Sequence, residues 1–249
     1  MYGRAAREAG RLALRSWPLA LALPIYAALI IAILLVTQPF GLAGGFAAGL
    51  GIAAVASSYL HLLSLAVTNR RIGGSDIKES FGARFWDVVS VTFAFWIISL
   101  VVEAMVGGNP KGPIIVALIS LAMTVFFNPV PELLYQSGTR SFALLGEAAR
   151  FISARGLEWL FPNLLLALVL LSPAGVLDPG LPIGARVLML SGMFSMGGML
   201  KTVLGLPLAS APLLLIALHW AMIFRGLLFH ALTTGGGRQQ QVRDVWGRR

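Results

Sequence analysis

The run from Lys78 to Met105 most constrains what this chain can fold into. It has a short charged lead-in (Lys78, Glu79, Arg84), a Trp at the edge (Trp86), then about 19 apolar residues interrupted only by Glu103. A helix rises about 1.5 Å per residue, so a run of this length covers the hydrocarbon of a bilayer, about 30 Å. It reads as a transmembrane span with a basic doorstep. The same unit of basic segment, border Trp and apolar run opens at Arg4 to Trp17 and again at Arg140 to Trp159. The expectation is therefore an all-α polytopic membrane protein of six transmembrane helices laid side by side as three hairpins. The spans are expected at about 18–36, 42–67, 88–106, 114–127, 160–176 and 207–228, with amphipathic helices on the cytoplasmic surface.

Composition agrees with this class. The 249 residues are 57% hydrophobic and 12% charged, against roughly 25% charged in soluble domains, and the mean hydropathy is +0.83. Six spans with their connections use up the chain, which leaves one membrane domain over residues 1–234 and a basic, flexible tail over 235–249 behind Gly235-Gly236-Gly237. The net charge of +9 would suggest nucleic acid in a soluble protein. Here the basic residues flank apolar runs, where anionic headgroups account for them and nucleic acid is not needed. With six spans, sixteen Lys and Arg fall on one side and three (Lys111, Arg186, Lys201) on the other. That asymmetry places both termini in the cytoplasm and the protein in a cell inner membrane. The absence of Cys excludes disulfides and thiolate sites. The N-terminal apolar run is longer than a signal-peptide core and reads as an uncleaved span.

Several stretches carry local expectations. Arg4, Arg7, Arg11 and Arg15 recur at spacings of three, four and four, one stripe of a helix facing lipid headgroups. Gly45 and Gly49 form a GxxxG, read as close packing within the chain. Thr139 to Glu158 is amphipathic and expected on the cytoplasmic surface. Between Arg186 and Lys201 lie only 14 uncharged residues, about 21 Å of helix. Ile183 to Leu204 is therefore expected to be a re-entrant or interfacial segment of the outer face.

Candidate chemistry is sparse. His61 and His219 fall in the inner halves of the second and sixth spans, at similar depth. Two such imidazoles could hold a haem or relay protons, or could each make an interhelical hydrogen bond. Glu103 is the only acid inside an expected span, where it either couples transport to protons or snorkels to headgroups. Asn128-Pro129-Val130-Pro131 breaks the fourth span and is the best local pointer to a site. Discontinuous helices expose backbone groups in transporters, although the same prolines also suit a plain helix stop. No Walker A sequence, no G-x-S-x-G and no carboxylate cluster is present, so no catalytic residue, metal or cofactor is implied.

The order of elements resembles the membrane subunits of ABC-2 type exporters. It has an N-terminal interfacial helix (Arg4 to Arg15), a basic loop between spans two and three (Arg70 to Arg84), and outer-face helices between spans five and six (Ile183 to Leu204). The threefold repeat of interfacial helix, Trp and hairpin is also similar to the six-span membrane domain associated with glycerophosphodiester phosphodiesterases, which supplies no catalytic residues. The first resemblance implies a transport or permease subunit working with a separate ATPase. The alternatives are a structural or assembly component of a membrane complex and, more remotely, a haem-binding or other membrane enzyme. A homo-oligomer is compatible with all three.

Overall fold

The computed structural model describes residues 1–68, 72–106, 109–139, 142–171 and 211–246, with side chains placed only for 142–166 and 215–234 of the last two stretches. Among these residues all regular structure is helical. The helices are α1 (Tyr2–Arg15), α2 (Trp17–Thr37), α3 (Gly41–Val67), α4 (Gly74–Ala83), α5 (Phe85–Val106), α6 (Gly112–Phe126), α7 (Val130–Gln136), α8 (Ala143–Leu171) and α9 (Ala211–Trp246). The protein is an all-α, multi-pass membrane protein.

The six-span, three-hairpin layout is not what the chain adopts. Among the described residues four segments are long and apolar enough to cross a membrane: Trp17–Val67, Gly74–Val106, Gly112–Gln136 and Leu215–Thr234. The described part of the expected fifth span, 160–171, is the second half of α8; 172–176 lie outside the described residues. That helix runs from the amphipathic stretch into apolar sequence, with non-helical dihedrals only at Arg155. Ile183–Leu204, Arg140 and the pair Arg70-Arg71 lie outside the described residues.

Nor is the segment from Lys78 the hub. The second helix of the first apolar segment, α3, packs against α2, α4, α5, α7 and α9. Helices α2 and α3 fold back on each other through a 3-10 turn, Gln38–Phe40, and reverse at Gly41 with φ 55°, a conformation that glycine adopts without steric cost. Gly51 receives Ile33, and Gly44 lies so close to the Thr37 carbonyl that a Cβ would collide with it. The tight contacts thus fall on Gly44 and Gly51. A Cβ at Gly45 or Gly49 would meet nothing described within 4 Å, so that GxxxG is not packed against any described helix.

Helices α2, α3 and α4 are tied by a chain of hydroxyls. Tyr26 Oη lies 2.6 Å from Ser58 Oγ, Ser58 Oγ lies 2.6 Å from Ser80 Oγ, and Ser80 Oγ donates to the Ile77 carbonyl at 2.7 Å. A hydroxyl has one hydrogen, so Ser80 must accept from Ser58, and Ser58 from Tyr26. Ser57 donates to the Ser80 carbonyl and accepts from the Arg84 amide, pinning the C-terminal end of α4. Replacing Ser58 with Ala strands the Tyr26 hydroxyl in a buried place, and the expected loss is about 1–3 kcal/mol. Adding Tyr26→Phe should recover part of it. Unfolding of the two variants in the same bicelles measures this, and an unchanged double variant would show that the chain is not sustained.

Burial is uneven. In Leu215–Thr234, 44% of the apolar window is buried, against 11% in Trp17–Val67, so α9 is the interior helix and the outer faces of the rest are left to lipid. Leu42, Phe46, Phe93, Met105 and Ile114 are among the large apolar side chains exposed there, as expected where hydrocarbon replaces water as solvent.

Candidate functional site: a buried ion pair at a broken helix

The polar centre of the bundle forms where α6 gives way to α7. Helix α6 ends at Phe126, and Asn128 and Pro129 turn the chain. Pro131 then sits in the first turn of α7, where its missing N–H has no intrahelical partner to lose. The prolines do not end the segment; they re-aim it. Glu132, which follows them, points inward and is fully buried (0% exposed).

Its partner comes from α9. Arg225 lies in the middle of an apolar run and donates from Nε to Glu132 Oε1 at 2.7 Å and from Nη2 to Oε2 at 2.9 Å. This is the bidentate pairing that the planar guanidinium favours. Nη2 also donates to the Asn128 carbonyl at 2.9 Å and Nη1 to Asn163 Oδ1 at 3.1 Å. Four of the five guanidinium N–H groups are therefore engaged. The guanidinium carbon also stands 5.1 Å from the centre of the Trp159 ring, a cation–π contact. Trp159 is held by donating to Asn128 Oδ1 at 2.9 Å, and Asn163 by donating to the Trp159 carbonyl at 2.6 Å. Helix α8 thus contributes a ring and an amide to a charge pair made by α7 and α9.

Burying two charges costs several kcal/mol per ion unless they are paired and their remaining hydrogen-bonding capacity is filled. Here the charges are paired and most of the guanidinium donors are used. Gly226 makes the approach of α7 possible, because a Cβ there would lie 2.8 Å from Val67 Cγ2 and overlap the Tyr135 hydroxyl. The Gly226 carbonyl accepts from Gln136 Nε2 at 2.9 Å. Beside the pair, Tyr59 Oη and Tyr135 Oη are buried and have no hydrogen-bond partner among the described residues.

The residues singled out from the sequence are distributed as follows. Asn128, Pro129 and Pro131 form the break, and its freed carbonyl is the one Arg225 uses. His219 is buried (2% exposed) on α9, with Nε2 3.1 Å from Ser16 Oγ. Ser16 spends its hydrogen on the Leu12 carbonyl, so it accepts from the imidazole and the ring proton sits on Nε2. His61 is half-buried and lines a shallow groove of about 400 Å³ with Gly82 to Asp87. The two imidazoles face different neighbours, although their helices α3 and α9 are adjacent. Glu103 is exposed on α5. Arg4, Arg7, Arg11 and Arg15 are all exposed along α1. Among the described residues no group of three or more His, Asp or Glu could hold a metal ion.

Glu132 and Arg225 are not legible as a pair along the chain, because a double proline precedes the one and the other lies near the end of an expected span, 207–228. The available signal was one acid and one base, each flanked by apolar helix, in separate segments. The chain matches no family model, no curated protein and no solved structure.

Proposed function

We propose that the protein is the membrane subunit of a transport system, a permease energised by a separate partner chain, as the resemblance to ABC-2 type exporter subunits implies. The observation that carries this reading is the discontinuous segment Gly112–Gln136, whose unwound backbone at Asn128 meets a buried, charged side chain from another segment. Non-helical backbone at membrane depth is tolerated where it is enclosed by protein or lines a pathway, and half-helix ends beside ionisable groups are how transporters build substrate sites. No ATP-binding motif is present in the sequence, so the energy would come from another chain.

A second reading, a non-catalytic assembly component, is supported by Arg225, four of whose five N–H groups are already spent on protein. Purification from the native membrane in mild detergent, with identification of stoichiometric partners, separates the two. A nucleotide hydrolase whose activity rises when this subunit is present is the expected result. A stable complex with no hydrolase in it overturns transport and favours assembly.

A further inference from the structure

The basic stripe on α1 behaves differently from that of a helix floating on a membrane. Its apolar face is not available to lipid: Ala5, Ala9 and Leu12 are buried, and α1 lies along α9. The docking is fixed by polar contacts. Trp220 Nε1 donates to the Ala6 carbonyl at 3.3 Å, Tyr2 Oη donates to the Glu158 carbonyl at 3.2 Å, and Ser16 meets His219. A Cβ at Gly10 would stand 3.9 Å from the Trp220 ring nitrogen. Helix α1 is therefore a built part of the bundle, and it holds Arg4, Arg7 and Arg11 outward in a row that spans eight residues, about 10 Å of helix from first to last.

The height of this row relative to a bilayer follows from the chain. Only Ser16 separates α1 from α2, whose first residue, Trp17, is 60% exposed, and the neighbouring Leu14 is 81% exposed. Trp at the first turn of a transmembrane segment marks the headgroup level. The row starts close to that level, with Arg11 six residues, about 9 Å of helix, from Trp17. Its existing polar contacts are weak ones: Arg11 pairs with Glu8 while 71% exposed, and Arg7 Nε reaches the Gly3 carbonyl at 3.3 Å. Exposed pairs of this kind hold little free energy and exchange readily for another anion.

We propose that α1 is a pre-organised binding surface for anionic phospholipid headgroups, engaged through the charges of Arg4, Arg7 and Arg11. The inference rests on the membrane-embedded fold and not on the transport reading. Because the helix is already folded and docked, binding pays no ordering entropy. Each Arg contributes about fivefold to lipid affinity at low salt, and the interaction weakens steeply as salt rises.

The test uses the full chain in detergent, titrated with phosphatidylglycerol or phosphatidylcholine and read by native mass spectrometry. Saturable binding of phosphatidylglycerol over phosphatidylcholine is expected. The triple variant Arg4→Gln, Arg7→Gln, Arg11→Gln should lose about 100-fold, and the corresponding triple Lys variant should stay within about fivefold. Equal binding of the two lipids, or undiminished binding by the Gln variant, overturns the proposal. Complete competition by inorganic phosphate at the lipid's own concentration would assign the row to free phosphate and overturn the lipid source. The melting temperature in phosphatidylcholine alone checks that the variants fold. Should the triple variant fail that check, Arg7→Gln by itself, with an expected loss of about fivefold, decides the matter.

Discussion

Replacing Glu132 with Ala is expected to destabilise the folded bundle by about 3–5 kcal/mol, the loss seen when one member of a buried pair is removed and the other charge is left without compensation. Arg225 would keep Asn163 and the Asn128 carbonyl but lose both carboxylate bonds. The guanidinium stays protonated in proteins and so cannot escape by losing its charge. Arg225→Ala should be of similar severity, because it strands Glu132 at 0% exposure. The double variant should lose much less than the sum, with a coupling of about 2 kcal/mol or more. Arg225→Lys should not rescue, because an ammonium cannot reproduce the fork that reaches Glu132, Asn128 and Asn163 together. Reversible unfolding in bicelles measures all four variants. Additive single effects would show that the two side chains do not meet in the membrane.

Gly44→Ala is expected to lose stability toward the upper end of about 1–3 kcal/mol. The added Cβ runs into the Thr37 carbonyl, a backbone atom that no rotamer change can move, so the α2–α3 hairpin must open to admit it. The same helix supplies its own controls. Gly45→Ala and Gly49→Ala place a Cβ where nothing described lies within 4 Å. Each should be neutral or stabilising by about 0.5–1 kcal/mol through helix propensity. Three Gly→Ala changes within six residues should therefore split by position, as read by thermal unfolding. A uniform effect would mean that the hairpin is not closed at Thr37.

Particular residues show why legibility stopped where it did. The apolar run after Trp86 is periodic with nothing and therefore buried in lipid or protein all round, which is a composition argument and reads directly from the chain. The Arg stripe of α1 was visible because its spacing of three and four is local. The count of crossing segments was not. It depends on whether α8 changes from surface to membrane within one helix, and on α6 and α7 belonging to a single segment despite Pro129 and Pro131. Helix rules treat such prolines as stops, and here the freed carbonyl of Asn128 has a partner 97 residues away. The polar centre was hidden for the same reason. Glu132 beside a proline and Arg225 near an expected span end each look like interfacial charges, and only the adjacency of α7 and α9, permitted by Gly226, makes them a pair. His219 lies buried against Ser16, and His61 lines a groove with Gly82 to Asp87.

The amino-acid sequence by itself determined that this protein is helical and lives in a membrane, because unpaired backbone in hydrocarbon is too costly for any other arrangement of such long apolar runs. It also determined which helix faces carry the basic residues, because helical spacing is a local property. The tertiary structure alone decided that α3 is the hub, that four segments rather than six separate spans are long and apolar enough to cross among the described residues, and that Arg225 and Glu132 form the core. Each of these depends on which helices touch, and in lipid that choice is made by close packing at a few glycines and by the need of buried charges to find each other, neither of which has a period along the chain.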